Sequence, residues 1–299
     1  MAQNPVSYPL GAPVVSGTEI TLDTMLNEPT RITRYLSDLT LRKMFSQRIF
    51  SNGGSVSGGA VIYDQLTAND LFTDRDVQNV EPGAEFPIVT SSRATSKVAQ
   101  VEKFGGKFFV TDEARDRNDP LALRIGAQKL ANTIQRKTDG RALAVLNAAV
   151  TEFSQTATGT NWATALSTAA GSMTKAIEPA ADFAKVQLSA DTDELGVEYN
   201  LWIVNPAQYS NLVQFYGASN LSAVLSANGI EMIPTNRQTA GEALVVEAGQ
   251  VGEMRFEKSL STETWREQAT ERTWVQSSVR PVFVVTNPYS VIKVTGLAG

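Results

Sequence analysis

The 299-residue chain predicts a mixed α+β fold. Three observations carry that prediction. One uninterrupted helical pattern runs from Asp119 to about Phe153. Buried strand-like runs alternate with short helical segments after residue 180. Two further strand-like runs, 60–66 and 96–111, flank the proline-bracketed stretch "EPGAEFPIV" at Glu81–Val89.

Met1 to Asn27 carries Pro5, Pro9, Gly11, Pro13 and Gly17, which predicts an extended arm. Thr30 to Phe45 places Ile32, Tyr35, Leu36, Leu39 and Met44 near helical spacing, with arginines opposite, and predicts a short amphipathic helix. "SNGGSVSGG", Ser51–Gly59, predicts a hinge or linker centred on Gly53 and Gly54. Ala60–Leu66 reads as one strand and Ser96–Thr111 as another. The second has no dry face: Lys97, Ala99, Val101 and Lys103 alternate with Val98, Gln100 and Glu102. A ribbon of this kind is marginal alone and needs a cover from elsewhere. Fifteen or so residues each way would carry its turn about 50 Å from the base. Pro82 and Pro87 bracket the Gly83–Ala84 step there, and proline cannot donate to a ladder, so this is a turn and not a core strand. Gly105 and Gly106 are expected to let the ribbon bend near its base.

The helix that follows has Asp119 as its cap and Pro120 in its first position. Leu123, Ala127, Leu130, Ile134, Ala142, Val145, Leu146 and Ala149 follow at three and four spacing, for a spine roughly 50 Å long. Gly140 is its weak point. Beyond it, Ala180–Ser189 is weakly helical, "YNLWIVN" is a buried strand, and Pro206 opens a helix with Tyr209, Leu212 and Val213. "GIEMIP" and "EALVVE" read as strands joined by a polar turn around Asn236–Gly241. "RTWVQSS" and "RPVFVV" are expected to pair around Val279 and Arg280, and "SVIKVTG" closes the chain.

Composition removes several function classes. There is no cysteine and no histidine, so thiolate chemistry, zinc–thiolate sites and the commonest general base are absent. An intracellular origin is compatible with this, and the first ten residues show no secretion signal. No apolar run reaches the roughly 20 residues of a membrane helix. The formal charge is −5, against the sign expected of a phosphate-gripping protein. Basic residues gather in two places: Arg31, Arg34, Arg42, Lys43 and Arg48, and then Arg124, Lys129, Arg136, Lys137 and Arg141. "DTDEL" and "TDRD" lack the glycine and terminal glutamate of a calcium loop, and the glycine-rich stretches lack phosphate-loop spacing. No metal or cofactor is expected.

The resemblance lies in the order of the pieces. "GGAVIYDQLTANDLFTDRDVQNVEPGAEFPIV", "KFGGKFFVTDEARDRND", "NLWIVNPAQYSNL" and "RPVFVVTNPYSVIKVTG" together resemble the major capsid proteins of tailed double-stranded DNA bacteriophages. The likeness spans nearly the whole chain. It implies an N-terminal arm (1–52), an extended loop with its base strands (53–111), a peripheral domain with the spine helix (112–190), an axial domain (191–273) and return strands to the peripheral domain (274–299). It also implies hexamers and pentamers of this chain closing into an icosahedral head around DNA held without sequence-specific binding. A separate scaffolding protein, a portal and decoration proteins are implied partners, with assembly in the host bacterial cytoplasm. The extended loop of such proteins lies on a neighbouring subunit. That makes Glu81, Pro82, Gly83, Glu85, Phe86 and Pro87 expected intersubunit contacts, joined by Arg31, Arg34 and Arg42. Some members join subunits by a lysine–asparagine bond, but Lys97, Lys103 and Lys107 have no evident acidic catalyst or acceptor.

Two other functions match parts of the sequence. An encapsulin-type nanocompartment shares the fold, although such shells usually start with a short helix in place of a Pro/Gly arm. A serine hydrolase would use "SMTK" (Ser172–Lys175) with "SAN" at Ser226–Asn228 and "KVTG" at Lys293–Gly296. Ala227 and Val294 break the second and third of those motifs, so no enzyme activity is expected.

Overall fold

The computed structural model describes residues 14–15, 18–19, 22–41, 44–67, 70, 77, 79–88, 95–167, 175, 177–192, 194 and 196–298. A short ladder of β1 (Val14–Val15) and β2 (Thr18–Glu19) precedes three helices, α1 (Leu22–Asn27), α2 (Pro29–Leu41) and α3 (Ser46–Ile49). After α4 (Asp112–Asp116) comes the spine, α5 (Pro120–Phe153), continuous for 34 residues. Its start follows from the sequence: the Asp119 carboxylate accepts from the Leu121 amide at 3.0 Å, and Pro120 has no amide to leave unpaired. It ends where Ser154 turns left-handed.

Two sheets flank the spine. The first has the order β3 (Ser51–Ser55), β11 (Gly252–Glu267), β12 (Arg272–Val285) and β6 (Phe104–Thr111). The second has the order β7 (Thr156–Thr158), β13 (Val291–Thr295), β10 (Ala243–Val246), β8 (Leu201–Val204) and β9 (Glu231–Pro234). β8 and β10 are apolar at every position because both faces are covered. Leu201, Ile203, Leu244 and Val246 face the spine residues Leu143, Leu146 and Val150. Trp202, Val204, Ala243 and Val245 face the helices α6 (Trp162–Ser167), α7 (Pro179–Thr192), α8 (Pro206–Tyr216) and α9 (Ala218–Ala227).

Two buried carboxylates pin these layers. Asp182 accepts from the Thr160 amide and hydroxyl and from Trp162 Nε1 at 2.8 Å. Asp139, in mid-spine, accepts from the Ser46 amide at 3.3 Å and from Arg237 Nη1 at 3.1 Å. Burial pushes the Asp139 carboxyl above its ordinary range, and the Arg237 charge opposes that.

Several expected elements differ. Leu22–Asn27, expected in an extended arm, is helical because Leu22, Met25 and Leu26 bury against the core of α2 and α5. Met1–Pro13 lies outside the described residues. The first half of the expected linker is strand β3, parallel to β11. Residues 96–111 do not form one strand. Thr95–Gln100 is β5 and pairs with β4 (Ala60–Gln65), whereas Phe104–Thr111 joins β12. The described ladder of the ribbon is six residues long, about 20 Å, and residues 68–69, 71–76, 78 and 89–94, which would carry the turn further, lie outside the described residues. "RTWVQSS" and "RPVFVV" do not pair with each other but form the single strand β12, laid against β11, which the sequence pattern did not reveal. β9 and β10 are not hairpin partners, because β8 lies between them. Of the expected domain boundaries, 52/53, 190/191 and 273/274 fall inside β3, α7 and β12, and β13 joins the sheet of β8–β10.

Candidate assembly surface

The β4–β5 ribbon has two unlike faces. Inward, Val61, Tyr63, Ala99 and Val101 pack on Val282 and Val284 of β12. Thus the ribbon does carry one apolar face, and that face is already buried in its own subunit. The ladder is stitched down at both ends. The Glu102 amide donates to the Pro281 carbonyl at 3.2 Å, and the Leu66 amide donates to the Thr286 carbonyl at 2.9 Å. Ion pairs Lys97–Glu152 and Arg141–Glu102 (2.7 Å) tie it to the spine, and Lys97 also stands over the Phe153 ring. Burial and the Glu152 charge both raise the Tyr63 hydroxyl above its ordinary pKa in the cavity beneath.

The outward face is different. Ile62 and Val98 are direct cross-strand partners, and they are 74% and 63% exposed. Beyond them, Glu81–Ile88 forms the expected turn. The Ala84 amide donates to the Glu81 carbonyl at 3.0 Å, and Gly83 has φ 90°, which Gly adopts freely at this position of a turn led by proline. Phe86 and Ile88 there are 78% and 77% exposed. Of the ten exposed large apolar side chains among the described residues, five (Ile62, Val77, Phe86, Ile88 and Val98) belong to this one segment. Isolated exposed apolar residues need no explanation, but here half of those among the described residues fall on one segment.

The other expected contacts are placed as follows. Ile32 and Leu36 of α2 bury against Leu123, Ala127, Ala131 and Val275, so this helix is clamped to its own spine. Arg31 pairs with Glu28 beside it. Arg34 is exposed and forms no ion pair among the described residues. Arg42 lies outside the described residues. The expected hinge glycines have packing reasons. A Cβ on Gly53 would meet Arg255 Cγ at 2.6 Å, and one on Gly105 would meet the Ser277 carbonyl oxygen at 2.6 Å. Gly106 is held in the β6–β12 ladder, and Gly54 has φ 81°.

Sequence reasoning missed the far end of the β11–β12 hairpin. There Arg272 lies against the Phe109 and Trp274 rings at 5.0 and 4.6 Å, and Lys107 stands over Trp274 at 4.3 Å. Glu267 accepts from Thr270, from Arg272 and from Trp274 Nε1, and these bonds hold its pKa down to about 2. Only the register of β6, β12 and β11 gathers these residues.

Among the described residues, no group of three or more acidic, histidine or cysteine side chains could hold a metal ion, and no helix is long and apolar enough to cross a membrane. Ser172 lies outside the described residues, and Lys293 is ion-paired with Glu242 at 2.8 Å.

The frame is thus a long spine, two sheets and a ribbon whose outer face leaves large apolar side chains exposed. A family model described as phage capsid protein matches residues 94–294, about two thirds of the chain, and the chain belongs to that family. It is a structural shell protein of the virion. No curated protein sequence matches it. Among solved structures, a virus-like particle from Pyrococcus furiosus is similar at TM-score 0.62 and 12% identity, over 89% of this chain and 99% of that one. The structure of Mycobacterium phage Bobi matches at 0.59 and 12%, over 86% and 90%. The capsid of Myoviridae phage XM1 matches at 0.56 and 14%, over 84% and 90%.

Proposed function

We propose that this subunit assembles into rings of six and of five that close as an icosahedral phage head around double-stranded DNA. The β4–β5 ribbon is its intersubunit arm. The observation that carries this is the exposed apolar surface of the ribbon, on an element whose other face is already buried at home. Glu81, Pro82, Gly83, Glu85, Phe86 and Pro87 form the tip that meets the neighbour. Arg34 reaches an acidic group across a subunit boundary, whereas Arg31 is already paired with Glu28, just before α2. A separate scaffolding protein guides closure, a portal occupies one vertex, and assembly takes place in the host cytoplasm. Excess negative charge leaves the container free of tight phosphate binding.

Superposition on the Pyrococcus furiosus particle, together with helices α1 and α2 near the start of the chain, favours an encapsulin-type compartment as a second reading. Particles purified from infected cells separate the two. Nuclease-protected duplex DNA is expected inside, and a protein cargo without DNA would replace the first proposal by the second.

A further inference from the structure

Five of the ten exposed large apolar side chains among the described residues lie off the ribbon. Two of these, Leu121 and Ile125, stand one turn apart on the first half of the spine, 56% and 44% exposed. They are not isolated. Leu121, Ile125, Gln128 and Asn132 follow at spacings of four, three and four, all of them exposed, which places them on one stripe of the helix. Leu123, Ala127 and Ala131, on the inward side, are buried with α2 and with Val275 of β12, so the stripe faces away from the subunit's own core. Charge follows the stripe. Arg124 and Lys129 flank it and Arg136 extends it, all three exposed. None of the three forms an ion pair among the described residues, whereas Arg141, further along the spine, is paired with Glu102. From Pro120 to Thr138 the chain has no acidic residue.

The spacing is that of a heptad seam. Leu121 and Gln128 take d positions, Ile125 and Asn132 take a positions, and Arg124, Lys129 and Arg136 take the flanking g and e positions. A helix laid on such a seam supplies apolar knobs to Leu121 and Ile125 and carboxylates to the three cations. Duplex DNA would satisfy the cations and leave both apolar side chains wet. The seam is short, about 17 Å from Leu121 to Asn132 at 1.5 Å per residue, because the next positions, Gln135 and Asp139, are buried in the subunit itself. Two apolar positions in four, with surface ion pairs beside them, make a grip suited to reversible attachment. A second copy of this chain does not supply the helix: among the described residues, no helix of eight residues or more carries more than two carboxylates.

We infer that the outer face of the spine's first half is the seat of an acidic amphipathic helix from a different protein, gripped by Leu121 and Ile125 on the seam and by Arg124, Lys129 and Arg136 beside it. Identifying that protein with the scaffolding partner rests on the proposed function; the seam, and the chemistry it selects, go beyond that reading.

The probe is a fluorescent synthetic helix of about three heptads, with leucine at a and d and glutamate at e and g, titrated onto the soluble subunit and read by anisotropy. It should bind. The same peptide with lysine at e and g, or with serine at a and d, should bind at least about tenfold more weakly. These changes leave the subunit untouched, so the comparison holds whatever a subunit variant does to folding. On the subunit side, Leu121→Ser with Ile125→Ser and, separately, Arg124→Glu with Arg136→Glu should each weaken the glutamate peptide about tenfold, with thermal melting unchanged as at ordinary surface sites. No binding at about 1 mM peptide overturns the inference. So does binding indifferent to the apolar changes. Duplex DNA that displaces the peptide, and whose own binding is lost in the arginine variant, would also overturn it and give the face to phosphate. Uniform shells closing from this chain alone would remove the scaffolding partner and leave the titration to judge the seam.

Discussion

Replacing Ile62 and Val98 together by threonine should separate assembly from folding. The two side chains face each other on the outer face of the ribbon, 74% and 63% exposed. Threonine keeps the β-branched shape that suits a strand, so the subunit should lose no more than about 0.5 kcal/mol, as at an ordinary surface site. Assembly is another matter. Threonine keeps one methyl, so each site loses one or two apolar carbons at about 0.8 kcal/mol each when fully buried and gains a hydroxyl that costs about 1–3 kcal/mol if buried without a partner. With roughly two thirds of each side chain left for a neighbour to bury, that is about 1–2 kcal/mol apiece. The double variant should therefore weaken each ribbon contact by about 2–4 kcal/mol, a factor of roughly 30 to 700. Thermal melting of the subunit measures the first quantity, and light scattering against concentration measures the threshold for shells. A melting point lowered by many degrees, with an unchanged threshold, would show that this face belongs to the subunit's own core.

Two glycines of the spine should respond with opposite signs. Gly140→Ala adds a Cβ that meets nothing within 4 Å and should stabilise by up to about 1 kcal/mol. Gly126→Ala puts its Cβ 2.3 Å from Phe108 Cδ2 and should cost about 1–3 kcal/mol despite the better helix former, both read by denaturant unfolding. Glu267 has a folded pKa of about 2, below its ordinary 4.5, so the stability it lends the hairpin end is present above pH 4.5 and is lost as pH falls towards 2. Tryptophan emission should report that acid step through Trp274, and Glu267→Gln should remove it.

The parts legible in the sequence were those with local causes. The spine announced itself through Asp119–Pro120 and its apolar spacing, and β8 through an unbroken apolar run. β11 was hidden because Met254, Phe256 and Leu260 are interleaved with Glu253, Arg255, Glu257 and Lys258, and one of its ladder partners, β3, comes from about 200 residues earlier in the chain. β12 looked broken at Pro281. That proline is tolerated because the register shifts opposite it, between Phe256 and Lys258, where the ladder is already interrupted. Gly53 read as flexibility, whereas its cause is the close approach of Arg255, 202 positions away in sequence and visible only in the fold.

Electron microscopy of the assembled chain beside one lacking residues 67–94, closed by a short Gly-Ser turn, bears most directly on the ribbon's role. That deletion spares both strands of the ladder, Val61 on Val282 and Val284, and the Gln65 side-chain bond to the Val285 carbonyl at 3.2 Å. The full chain should give uniform closed shells under conditions where the shortened chain gives none yet melts as a folded subunit. Equal shells from both chains, or a shortened chain that no longer folds, would contradict the ribbon's assignment as the arm that joins one subunit to the next.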